Sequence, residues 1–125
     1  MQLALDPTRY DVLVMENLFG DVISDLCAGL VGGLGLVPGA NLGGKYAIFE
    51  AVHGSAPDIA GKGLANPIAL VRSAALLLDH IGQRQPAMRI EASVRRTLDA
   101  GTDLTRDLGG AGTTAALTGR LIANL

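Results

Sequence analysis

The chain has 125 residues, 49% of them hydrophobic and 18% charged, enough apolar material for one modest core and too few charges for long disorder. A net charge of −2 gives no electrostatic footprint for nucleic acid or anionic lipid. The single cysteine, Cys27, excludes an internal disulfide; with no membrane-length apolar run and no basic-then-apolar export pattern, the expectation is a soluble cytoplasmic protein.

In chain order, residues 11–15 (DVLVM) form a short apolar run with β-branched members and predict a buried strand. Val22, Ile23, Leu26, Cys27 and Leu30 recur at helical spacing, so a helix is predicted over residues 18–30, begun by Asn17 or Gly20. Residues 31–39 hold four glycines and a proline, which excludes a stable helix; a strand at 34–37 followed by a turn is predicted instead. Residues 45–52 (KYAIFEAV) alternate as a second strand, with Ala47, Phe49 and Ala51 on one face.

Residues 53–66 (HGSAPDIAGKGLAN) read as a long loop, and loops of this length in a compact chain usually carry function. Asn66 and Pro67 then start a helix that Gly82 ends, apolar on nearly every side and so central or covered. Pro86 opens a second helix, with Ile90, Val94 and Leu98 one turn apart and Arg95 and Arg96 outward. Residues 105–110 (TRDLGG) form an extended piece and turn. Thr113 or Thr114 caps a last helix with Leu117, Leu121 and Leu125 in line. Strand, helix, two strands and three helices give an α/β class in which the strands are too few to cover the helices.

Asp21 and Asp25, four apart, share one helix face. Like charges at that spacing repel unless a cation sits between them, and a hard divalent cation takes one or two carboxylates plus water and substrate. Spacing alone leaves two readings open and favours the plainer one, a first-turn acid and a solvated acid. The small residues of the 53–66 loop allow backbone N–H groups to approach an anion or heterocycle, and an aspartate there suits ribose hydroxyls. Neither a P-loop nor a G-x-G-x-x-G pattern is present, and a mobile surface loop is equally compatible with the composition. His53 alone is weak, His80 sits in a last helical turn, and Cys27 reads as a core residue.

Several motifs occur together and in order: residues 17–21 (NLFGD) with Ser24 and Asp25, residues 33–35 (GLG), residues 40–43 (ANLG), residues 49–62 (FEAVHGSAPDIAGK), residues 65–67 (ANP) and the closing TRDLGG with Thr113 and Thr114. As a set they closely resemble the β-decarboxylating dehydrogenases, the family of isocitrate and 3-isopropylmalate dehydrogenases, over its C-terminal third or so. The segments at 25–30 and 32–35 look more like NAD-dependent isocitrate dehydrogenases. The resemblance implies the C-terminal part of that α/β fold, an incomplete mixed sheet flanked by helices. Residues 1–31 would end the small, dimerising domain, and residues 32–125 would belong to the large, cofactor-binding domain.

It further implies Asp21 and Asp25 as ligands of Mg²⁺ or Mn²⁺, and an NAD site at His53, Gly54, Ser55, Ala56, Pro57, Asp58, Ile59 and Asn66, with Glu50 toward the nicotinamide. Asp58 and Ile59 stand where NADP-dependent relatives carry basic and aromatic residues, which points to NAD. The implied substrate is isocitrate or a related 2-hydroxy acid, and the implied assembly is a homodimer or higher oligomer. The family's substrate arginines, catalytic tyrosine and lysine and third metal aspartate are not identifiable, so no catalytic acid–base residue is assigned. A 3-isopropylmalate-type enzyme and a non-catalytic subunit or remnant remain the alternatives. A split sheet also predicts exposed edges and self-association.

Overall fold

The structure, a computed structural model, describes residues 1–125. Five helices are present: α1 (Gln2–Leu5), α2 (Asn17–Leu30), α3 (Ile68–His80), α4 (Arg84–Ala100) and α5 (Thr114–Ala123). Two strands, β1 (Pro38–Leu42) and β2 (Ala47–Ala51), pair antiparallel as a hairpin in register Gly39 to Glu50 and Asn41 to Ile48. The α/β class holds, and its sheet consists of this hairpin alone. No helix is long and apolar enough to cross a membrane.

Helices α2 to α5 form where the sequence pattern puts them, because their apolar residues repeat at 3.6 and their ends carry stop signals; that pattern does not predict the short α1. Gly101, at φ 66°, closes α4, and Gly82, at φ 80°, follows the end of α3. Thr113 caps α5 by accepting the Ala116 N–H at 3.2 Å. Helix α4 begins at Arg84, two residues before Pro86, because N–H groups in a first turn have no intrahelical partner to lose.

Two strand expectations fail. Residues 34–37 turn as a 3-10 helix (Leu34–Leu36), and the strand follows it, because Gly33 at φ 111° redirects the chain. Residues 11–15 form no strand and pair with nothing, and Val12 and Val14 are 78% and 92% exposed. An apolar run of that kind becomes a strand only when a neighbouring strand accepts its hydrogen bonds.

Helix α3 lies at the centre, in contact with α4, both strands and the Leu34–Leu36 turn. Ile68 from α3, Val94 from α4 and Leu117 and Leu121 from α5 form the core, with Leu36, Val71, Leu98, Leu104 and Leu108 packed around it. That core is small. Only 12 of 125 residues are buried, and the 8544 Å² of accessible surface exceeds the roughly 6,300 Å² of a compact monomer of this mass. Exposed apolar side chains include Val12, Val14 and, on α2, Leu18, Phe19 and Val22, where Ala28 alone is buried, and also Ile48, Leu70 and Ile122.

The C-terminal turn is packed tightest. A Cβ on Gly110 would fall 2.0 Å from the Leu104 carbonyl oxygen, whereas one on Gly119, inside α5, meets nothing within 4 Å. Gly110→Ala is therefore expected to lower stability by at least about 2 kcal/mol. Gly119→Ala should raise it by about 0.5–1 kcal/mol. Urea unfolding of the two variants beside the parent chain checks the opposite signs.

Candidate functional site

Residues distant in sequence meet in a cleft of about 510 Å³ between α2 and the hairpin. Asp21, Ser24 and Asp25 line one wall, and Gly39, Ala40, Asn41, Glu50, Ala51, Val52 and His53 line the other. The sequence predicted the two aspartates and, separately, Glu50 and His53; the structure brings all four to one opening.

The aspartate wall follows from the helix. Asp21 and Asp25 point from one face of α2, exposed, and neither carboxylate has an ion-pair or hydrogen-bond partner in the chain. Ser24 turns its hydroxyl back onto the Asp21 carbonyl at 3.0 Å, leaving the face between the acids clear. Two uncompensated acids one turn apart suit a hard cation that keeps much of its water. No group of three or more His, Cys, Asp or Glu side chains that could hold a metal ion is present in the chain.

The opposite wall is fixed by Ser73, a residue the sequence reading passed over. Its buried hydroxyl donates to the Glu50 carbonyl at 2.7 Å and accepts from the Gly39 N–H at 3.4 Å, tying both strands to α3. Gly39 allows this approach, since a Cβ there would lie 3.0 Å from the Glu50 carbonyl oxygen. Asn41 donates from Nδ2 to Glu50 Oε1 at 2.8 Å and so orients that carboxylate across the strands. Asn41 was also missed, and a signal existed: in a hairpin that pairs Gly39 with Glu50, Asn41 stands diagonally opposite the acid.

His53 follows β2 at the mouth of the cleft. Its Nδ1 meets the Gly54 carbonyl at 3.0 Å, a contact in which the ring nitrogen donates and the carbonyl accepts. Beyond it the predicted loop runs over the surface. Gly54, Ser55, Ala56, Pro57 and Asp58 are exposed, and the N–H groups of Gly54, Ser55 and Ala56 donate to nothing in the chain. Ala56 adopts a left-handed conformation, φ 41°, and leads into the Pro57–Ile59 3-10 turn that displays Asp58. A non-glycine residue held there is strained, and such strain gathers at ligand sites. Free amides beside one acid suit a nucleotide: amides for phosphate oxygens, the carboxylate for ribose hydroxyls.

Asn66 differs from the rest of the predicted set. Its Oδ1 accepts the Ile68 N–H at 2.9 Å and its Nδ2 donates to Asp107 at 2.8 Å, so the side chain is committed inside the chain.

The family model described as isocitrate/isopropylmalate dehydrogenase matches residues 1–122. An isocitrate/homoisocitrate dehydrogenase of Thermus thermophilus is 54% identical over the whole chain, which covers 37% of that protein. The alpha chain of the mitochondrial NAD isocitrate dehydrogenase of Homo sapiens is 56% identical over 88% of this chain and 30% of its own length. A mitochondrial NAD isocitrate dehydrogenase regulatory subunit of Dictyostelium discoideum is 52% identical, with 36% of it covered. The crystal structure of isocitrate dehydrogenase from Methylococcus capsulatus superposes with a TM-score of 0.94 at 50% identity, over 98% of this chain and 37% of that one. The chain thus spans 30% to 37% of the length of these relatives.

If Ser73 fixes the hairpin wall, Ser73→Ala strands the Glu50 carbonyl and the Gly39 amide. The expected loss is about 1–3 kcal/mol of stability, read by thermal or urea unfolding.

Proposed function

The chain belongs to the isocitrate/isopropylmalate dehydrogenase family, and we propose that it is the metal- and cofactor-binding portion of an NAD-dependent oxidative decarboxylase acting on isocitrate. The observation that carries this reading is the cleft itself, with Asp21 and Asp25 on one wall, Glu50 and His53 on the other, and the open-amide loop at its mouth.

In this reading Asp21 and Asp25 hold Mg²⁺ or Mn²⁺. A cation held there would supply Lewis-acid stabilisation of the negative charge that develops as CO₂ leaves. Glu50, oriented by Asn41, faces the nicotinamide end, and His53 borders it. The amides of Gly54, Ser55 and Ala56 receive the cofactor's phosphates, Pro57 and Ile59 shape the turn, and Asn66 closes the loop. Asp58 accepts the ribose diol, and its charge disfavours a 2′-phosphate, which selects NAD over NADP. The nicotinamide, held by these residues, would supply a hydride acceptor, and none of the residues assigned here transfers a proton.

Residues 1–31 belong in this reading to the small, dimerising domain and residues 32–125 to the large one. The break falls on Gly32 and Gly33, both near φ 110°, where α2 hands over to the body. The exposed Val12, Val14, Leu18, Phe19 and Val22 then face other protein, as in a dimer or higher oligomer. A 3-isopropylmalate-type substrate is the neighbouring possibility within the family. The 52% identity to a protein named as regulatory supports a second reading, that of a non-catalytic subunit.

Purified chain given isocitrate, Mg²⁺ and NAD is expected to produce no NADH, and measurable turnover would refute the absence of acid–base groups. Reconstituted with the N-terminal portion of a family member, the assembly should bind Mn²⁺, followed by the electron paramagnetic resonance of the free ion. Asp25→Asn should weaken that binding about tenfold or more. An assembly that binds neither Mn²⁺ nor NAD would favour the non-catalytic reading.

A further inference from the structure

The closing TRDLGG segment and the start of α5 lie far in sequence from the 53–66 loop, yet three contacts join them to its C-terminal end. The Thr114 N–H donates to the Gly63 carbonyl at 2.8 Å, and the Thr114 hydroxyl donates to the Ala65 carbonyl at 2.5 Å. Asn66 Nδ2 donates to Asp107 Oδ2 at 2.8 Å, while Asn66 Oδ1 caps α3 through the Ile68 amide. The Thr114 hydroxyl to Ala65 bond spans 49 residues of sequence, and the Asn66 amide to Asp107 carboxylate bond spans 41. Elsewhere the loop's hydrogen bonds are short-range, among them Ile59 N–H to Ala56, Ala60 N–H to Pro57 and Lys62 N–H to Ile59.

The clamp is itself rigid. The Arg120 guanidinium binds Asp103 Oδ2 through Nε at 3.1 Å and Nη2 at 2.7 Å. The Gly112 N–H donates to the Leu104 carbonyl at 2.7 Å, and no Cβ fits at Gly110 or Gly112. A Cβ on Gly35 would fall 2.7 Å from Asp107 Oδ2 and 3.0 Å from Asn66 Nδ2, so the turn that follows α2 packs against the same pair. The Asn66–Asp107 bond is charge-assisted, and the Thr114 contacts supply both an amide and a hydroxyl donor to nearby parts of one short stretch.

We propose that Asp107 and Thr114 are positioning residues for the nucleotide loop: they touch no cofactor, and they set its affinity by holding residues 63–66. This rests on the assignment of that loop to NAD given above. The physical basis is a population argument. Apparent affinity falls in proportion to the fraction of molecules whose loop is in the binding-competent arrangement, and bonds at the loop's end raise that fraction at no cost in direct ligand contact.

Two measurements separate the clamp from the cofactor assignment. Amide hydrogen exchange on the 125-residue chain compares the parent with Asp107→Ala, Thr114→Val and the conservative Thr114→Ser. Exchange at the hydrogen-bonded amides of Ile59, Ala60, Lys62 and Thr114 is expected to accelerate about tenfold in the first two variants and to return toward the parent in Thr114→Ser, with core amides of α3 and α4 unchanged. Unchanged loop exchange, or equal acceleration over the whole chain, overturns the proposal. In the second measurement NAD is titrated into the reconstituted assembly, where Asp107→Ala and Thr114→Val should raise the Kd for NAD about tenfold and leave Mn²⁺ binding unaltered. A looser loop with unchanged NAD affinity also overturns it. A parent assembly that binds Mn²⁺ but no NAD overturns the cofactor assignment and, with it, the proposed effect on nucleotide affinity, while the exchange comparison still decides whether the clamp exists.

Discussion

The close approach of the hairpin to α3 is the constraint on which the rest of the structure depends. Two adjacent features make it possible: Gly39 carries no side chain where the Glu50 carbonyl passes, and the Ser73 hydroxyl satisfies polar groups from both strands at once. A buried hydroxyl in a helix interior normally turns back onto its own helix, and Ser73 does also reach the Ala69 carbonyl at 2.9 Å. Because it serves the strands as well, β2 is fixed relative to the central helix, and everything that leaves β2 inherits that placement. Glu50 and His53 reach the cleft by this route, and the nucleotide loop departs from a defined point.

The same arrangement explains how a chain with so small a core still presents an ordered site. Packing secures the three C-terminal helices around Ile68, Val94 and Leu117, whereas polar contacts secure the segments between them. Ser93 donates to the Leu121 carbonyl at 2.6 Å, and Asn124 donates to Thr97 at 2.9 Å, so α4 and α5 are joined by hydrogen bonds as well as by leucines. Arg72 bridges further, pairing with Glu91 and donating to the Leu36 carbonyl at 2.7 Å. Where apolar burial is scarce, satisfied buried polar groups specify geometry at modest net energy.

The helices were legible in the sequence because their signals are local: a 3.6 repeat, a threonine cap, a glycine stop. The strand at 11–15 was misread for the opposite reason, since pairing depends on a distant partner that no local pattern reports. The 34–37 assignment failed where Gly33 turns the backbone in a way that side-chain alternation does not encode. For the site, the spacing of Asp21 and Asp25 told only that they share a face. Their meeting with Glu50 depends on the hairpin docking against α3, and Ser73 and Asn41 act through contacts 23 and 9 residues away. The family resemblance bridged that gap by supplying the set of motifs as a whole, and it left Asp107 and Thr114 without any role.

The joint after α2 has a thermodynamic consequence for whatever enters the cleft. Gly33 donates to the Ala28 carbonyl at 2.8 Å and ends the helix, and Gly32 and Gly33 then carry the chain through backbone angles that most residues avoid. Helix α2 touches the rest of the chain chiefly through α1 and the turn beyond those glycines. The two walls of the cleft are therefore connected by a short, entropically soft link. A molecule gripping only one wall leaves that link free, whereas one that spans both must still it, at about 1–2 kcal/mol for each residue fixed. The cleft thus discriminates by reach as well as by charge, and a ligand long enough to bridge it works as a splint between two parts of one chain.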